Sequence, residues 1–76
     1  MTQIGLLIYK SRTELNLTQN DIAIKCGMCA QYISNIERGI CLPPKAKLPI
    51  LVKILKLKRY RIEKALTADY LARLRK

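Results

Sequence analysis

Apolar residues recur along this chain at helical intervals and are broken by short polar or glycine-containing stretches. Ile4, Leu7, Ile8, Ser11 and Leu15 follow the i, i+3, i+4, i+7 spacing of one amphipathic helix over residues 3–15. Thr2 is placed to cap its start and Asn16 to end it in a left-handed conformation. Ile22, Ala23 and Cys26 form the inward face of a second helix, about 19–26, capped by Thr18, with Leu17 and Ile22 spaced as a hydrophobic staple. Ile33 and Ile36 form the inward face of a third, about 30–38, ended by Gly39. Cys29 takes the cap position of that helix, where a thiol serves poorly. Gly27 lies between the second and third helices, where a tight turn with positive φ costs a glycine nothing. Ala23 is small where two helices must cross closely. These choices predict a helix-turn-helix.

Pro43 and Pro44 predict a loop over residues 40–47. Ile40 and Leu42 are apolar within it, one suited to plug the core and the other to join a contact between copies. Leu48, Leu51, Val52 and Leu55 set a fourth helix over about 48–56, with Pro49 tolerated in its first turn. From Tyr60 onward, Ile62, Ala65, Leu66, Tyr70, Leu71 and Leu74 keep helical spacing. Thr67 leaves two options open, a cap for a separate short helix at 67–76 or one continuous helix to Arg75. The prediction is an all-α, compact bundle of five or six short helices in one domain over residues 1–76. The second half of the last segment exceeds what such a bundle needs, so Tyr70, Leu71 and Leu74 are the candidate homodimer surface. A helix folded back on its own domain, or one lying on a membrane surface, are the alternatives.

Charge sharpens this picture. The net charge is +10, and it is lopsided: residues 1–41 carry four Lys/Arg against three acids, and residues 42–76 carry eleven against two. Such a field draws polyanions, nucleic acid first. With no Trp and no Phe the core is aliphatic. No run of apolar residues approaches a membrane span or a signal core, which favours a cytoplasmic, nucleoid-associated protein. Cys26, Cys29 and Cys41 are expected as free thiols: there is no histidine to complete a zinc site and no βαβ context for redox catalysis, so no metal, cofactor or small-molecule ligand is expected. Cys26 reads as a small core residue, with a redox-sensitive role for Cys29 at the helix start as the sharper alternative. Five scattered acids, no histidine and no glycine-rich loop assemble no catalytic constellation, so an enzyme is not expected.

Leu17-Thr18-Gln19, Ile22-Ala23, Gly27-Met28 and the run Tyr32-Ile33-Ser34-Asn35-Ile36-Glu37-Arg38-Gly39 resemble the XRE-type helix-turn-helix family, which includes the phage Cro and cI repressors. The resemblance covers about residues 4–66. It implies that the third helix enters the DNA major groove, with Ala30, Gln31, Ser34 and Asn35 turned toward the bases. Ala30 offers only apolar contact where family members carry a polar reader. The resemblance further implies phosphate contacts by Gln19 and its neighbour Asn20 at the second helix's start, and by Tyr32, Arg38, Lys45 and Lys47 around the following loop. It also implies an ion pair between Arg12 and Glu37, against the alternative of an exposed Arg12 on phosphate. Lys58, Arg59 and Arg61 either touch phosphates or solubilise a small core. The function implied is a sequence-specific, dimeric transcriptional regulator of double-stranded DNA on a palindromic operator. A restriction-modification controller or antitoxin of the same fold is the nearer alternative. A helix-turn-helix used for protein interaction is the more distant one.

Overall fold

The structure, a computed structural model, describes residues 2–74. Five α-helices follow in order: α1 (Gln3–Glu14), α2 (Gln19–Cys26), α3 (Ala30–Glu37), α4 (Leu48–Ile54) and α5 (Arg59–Leu74), with a single 3-10 turn at Lys45–Lys47 before α4. No strand occurs among the described residues. The aliphatic positions picked out by periodicity converge on one core, in which Ile4, Ile8, Ile22, Ile33, Ile36 and Leu51 are essentially sealed from solvent. Each such side chain contributes about 1.5–3 kcal/mol on burial. Leu55 and Ile62 close the core from α4's end and from α5.

Local chemistry sets the helix starts. Thr2 Oγ1 accepts from the Gly5 backbone N–H at 3.0 Å. Thr18 Oγ1 accepts from the Asp21 N–H at 3.0 Å, and the Asp21 carboxylate accepts from the Thr18 N–H at 2.8 Å, a reciprocal capping box. The bond from the Thr18 N–H holds the Asp21 carboxyl below its ordinary value. This cap is therefore intact above the usual carboxylate range and is lost as pH falls through the lowered value. Cys29 caps α3 by backbone position alone, with no side-chain bond.

The first four helices all stop in the same way. A residue with positive φ (Asn16 at 58°, Gly27 at 67°, Gly39 at 82°, Lys56 at 54°) is followed by a backbone N–H that donates five residues back. Those bonds run Leu17 to Arg12, Met28 to Ala23, Ile40 to Asn35 and Leu57 to Val52, at 2.9–3.0 Å. This is the Schellman arrangement. Asparagine and glycine suit it. Lysine does not, and Lys56 turns α4 off two residues earlier than the apolar spacing predicts. The loop expectation is corrected at its end, where Lys45–Lys47 form the 3-10 turn. Leu42 packs against the core, whereas Ile40 stands exposed.

The C-terminal segment is one helix, and Thr67 lies exposed inside it rather than capping a second. The last two positions of the expected 67–76 helix lie outside the described residues. Nor is the second half of α5 surplus to the core. Asp69 is 5% exposed, and its two carboxylate oxygens accept from the Gln3 and Ile4 backbone N–H groups at 2.7 and 2.8 Å. A residue of α5 thus caps α1 from the far end of the chain.

Gly5 is where α1 meets α3. A Cβ at this position would stand 2.5 Å from the Glu37 carbonyl oxygen and 2.6 Å from that of Ile36. Mid-helix, Gly→Ala is ordinarily worth about 0.5–1 kcal/mol of stability. Two backbone oxygens cannot step aside as a side chain can, so the clash wins. Gly5→Ala is expected to destabilise by about 1–3 kcal/mol in urea unfolding; a neutral or stabilising result would mean the two helices can part without cost.

Candidate nucleic-acid interface

Four structural units meet at one buried cluster. Arg12, on α1, donates from Nε to Glu37 Oε2 at 2.7 Å and from Nη2 to Glu37 Oε1 at 3.1 Å. Its Nη1 donates to the Leu17 carbonyl oxygen at 2.9 Å, which ties in the α1–α2 turn. The guanidinium also lies over the Tyr9 ring, 5.4 Å from its centroid. From the start of α2, Gln19 Nε2 donates to Glu37 Oε1 at 3.0 Å. The side chains of Arg12 and Glu37 are only 11% and 3% exposed. This places Arg12 inside the fold, and the exposed-arginine alternative is set aside. The cluster locks the C-terminal end of α3 to the N-terminal end of α2, which fixes the angle between the two helices of the motif.

Beyond this lock, α3 presents a polar face. Gln31 is exposed, and Ala30, Ser34 and Asn35 are half-buried at its margin. Asn35 Oδ1 accepts twice, from Gln31 Nε2 at 3.0 Å and from Arg38 Nη2 at 2.8 Å. The i, i+4 and i, i+3 spacings along one face allow this chain. It links three side chains in one row, each exposed contact contributing roughly 0.2–0.5 kcal/mol. With Asn35 Oδ1 occupied, the Asn35 amide nitrogen remains a donor and the Gln31 carbonyl oxygen remains an acceptor.

The other predicted positions differ in how far they reach solvent. Asn20, Arg38 and Lys45 are exposed, and Lys47 is half-buried. Tyr32 is half-buried against the core. Gln19 is half-buried, with one of its amide N–H bonds already spent on Glu37. Cys26 is buried and Cys29 exposed. Burial pushes the Cys26 thiol above its ordinary value, against a smaller opposing pull from the Lys47 ammonium. Cys26 is thus a poor thiolate and a small residue of the core. Gln31–Asn35–Arg38 as a connected row, and Gln19 as a member of the Arg12–Glu37 cluster, were not anticipated from the sequence. The helical spacing of the first was visible; the second joins residues far apart in the chain.

Among the described residues no helix is long and apolar enough to cross a membrane. A family model described as helix-turn-helix, of the XRE type, matches residues 8–57, more than half of the chain. The match takes in α2, α3, α4 and most of α1, and leaves out α5. No match was found among curated proteins or among solved structures.

Proposed function

From the premise that this chain belongs to the XRE-type helix-turn-helix family, and is thereby a DNA-binding transcription regulator, we propose that it acts as a Cro- or repressor-like homodimer on a palindromic operator. The observation that carries this reading is the row Gln31–Asn35–Arg38 on the exposed side of α3, backed by the buried Arg12–Glu37–Gln19 lock. A base-reading surface needs hydrogen-bonding groups aligned along one exposed helix face, and the row has that alignment. In this arrangement α3 lies in the major groove. Gln31, Ser34 and Asn35 meet base edges, and Ala30 makes apolar contact. Asn35 offers a donor and Gln31 an acceptor, the complement of the adenine edge.

Gln19, Asn20, Tyr32, Arg38, Lys45 and Lys47 would contact the phosphates. Their cations give salt-dependent affinity by displacing counterions. Tyr70, Leu71 and Leu74 stand 59, 50 and 65% exposed on α5 and are the proposed dimer surface. Two copies joined there would set their α3 helices into successive major grooves about 34 Å apart. Occupancy of the operator would then block or recruit polymerase.

Enrichment from a random duplex pool at about physiological salt tests the proposal. A palindromic consensus with half-sites one turn apart is expected. A single half-site would remove the dimer, and no consensus would remove sequence-specific regulation. On the enriched duplex, Asn35→Ala is expected to relax preference at one base pair by about 1–3 kcal/mol. Lys45→Ala should instead weaken all sequences alike and reduce the slope of log K against log salt by about 1. If Asn35→Ala behaves like Lys45→Ala, Asn35 is not a reader.

A further inference from the structure

An open groove of about 540 Å³ runs between α1 and α5. Its size is that of a ligand cleft, but its lining is unlike one. Leu6 and Leu7 from α1 and Ala65 and Ala68 from α5 supply apolar or small side chains. Lys10, Arg61 and Lys64 supply three cations, and no acid lines the groove among the described residues. The two alanines let another backbone come close. The groove also faces away from α3. Gln3, Leu6, Leu7 and Lys10 repeat at i, i+3, i+4 and i+7 on one side of α1. Gly5 and Arg12, which touch the end of α3, lie on the opposite side. On α5, Tyr60, Lys64 and Ala68 form the groove flank, which Leu71 continues at i+7 from Lys64; Ile62 and Asp69 face inward, and Tyr70 and Leu74 fall on a third flank.

We propose that this groove docks an acidic amphipathic helix of a partner protein while α3 is on DNA. Charge complementarity selects the occupant. A second copy seating its own α5 here would bring exposed Arg59, Arg61, Lys64 and Arg73, with Glu63 as the one exposed acid on that helix, against Lys10, Arg61 and Lys64. Nucleic acid would match the cations but would leave Leu6 and Leu7 facing phosphate and sugar. A helix with Leu or Met at i, i+3/i+4 and i+7, flanked by Glu and Asp, satisfies both the floor and the rim. The regulator would then carry a partner on its back, on a groove that lies mostly outside the matched segment 8–57, with Lys10 inside it.

The probe is a display library of sixteen-residue helical peptides, apolar on one stripe and randomised over Glu, Asp, Lys and Gln elsewhere, selected against the full chain. Acidic peptides are expected to dominate. Binding, read by fluorescence anisotropy, should fall about tenfold or more in Lys10→Glu/Lys64→Glu. It should fall by a smaller factor in Lys10→Gln/Lys64→Gln, with both variants shown to be folded by circular dichroism. Because acidic peptides can also mimic DNA, Lys45→Gln/Lys47→Gln must leave binding unchanged, and duplex DNA must not displace the peptide. Any of four results overturns the proposal: no acidic enrichment, indifference to the Lys10/Lys64 variants, weaker binding in Lys45→Gln/Lys47→Gln, or displacement by duplex. None of them bears on DNA binding through α3, which the random-duplex experiment tests separately.

Discussion

Glu37→Ala is expected to lower the free energy of unfolding by about 3–5 kcal/mol, a large share for a small chain, since domains hold only about 5–15 kcal/mol in all. The size of the effect comes from what is left behind. Arg12 would keep the Leu17 carbonyl and the Tyr9 ring but lose both charged contacts, with its side chain 11% exposed. A guanidinium so enclosed cannot regain its water without opening the fold. Gln19 would lose its acceptor as well. The loss should persist at high salt, because a buried pair is little screened. The comparison that isolates the mechanism is Arg12→Met/Glu37→Leu. Removing both charges together leaves no unpaired charge and only the Leu17 carbonyl and the Gln19 amide without a partner, so the double variant should recover most of the loss in urea unfolding. If it is as unstable as Glu37→Ala, the cost lies in packing rather than in an uncompensated charge. DNA binding should separate the two further: the double variant still lacks the lock between α2 and α3, so it is expected to fold and yet to bind DNA more weakly.

Asp69→Ala is the second large effect, about 2–4 kcal/mol. It removes the acceptors of two backbone N–H groups at once. An N–H left buried without a partner costs about 1–3 kcal/mol, and the negative charge at the start of α1 adds a favourable interaction with the helix dipole. The Gln3 N–H is partly buried and can recover some hydration; the Ile4 N–H is buried and cannot. Asp69→Asn keeps one acceptor oxygen and should lose roughly half as much. Hydrogen exchange at Gln3 and Ile4 should quicken in Asp69→Ala before exchange elsewhere does. Equal quickening throughout the chain would mean that α5 is not held to α1 by this bond in particular.

These two sites were not equally legible in the sequence. The pairing of Arg12 with Glu37 came from resemblance to a family, because no periodicity links residues twenty-five apart. Asp69 carried half a signal: at i+7 from Ile62 and i+3 from Leu66 it falls on the inward stripe of its helix, where an acid needs a partner. Nothing local names that partner, since the N–H groups it binds lie sixty-five and sixty-six residues away. What could be read was local. Thr2 and Thr18 act on N–H groups three residues on, and Gly27, Gly39 and Asn16 act within their own turns. Gly5 was invisible for the opposite reason, since a helical glycine says nothing until the neighbouring backbone is in place. Lys56 gave no warning of a helix end, because lysine has no preference for positive φ. On α3 the outward face followed directly from Ile33 and Ile36 being inward. That Gln31, Asn35 and Arg38 form one bonded row depended on side-chain directions that spacing permits but does not dictate.

The bond between Asp69 and the first turn of α1 also orders events in time. A ribosome makes α1 first and reaches Asp69 more than sixty residues later, which at about 5–20 residues per second is a delay of roughly 3–13 s. Throughout that interval the Ile4 N–H has no acceptor from α5, and the groove flank of α1 has no opposite wall. Only when α5 arrives can the start of α1 be clasped, so the first turn made is among the last to be closed.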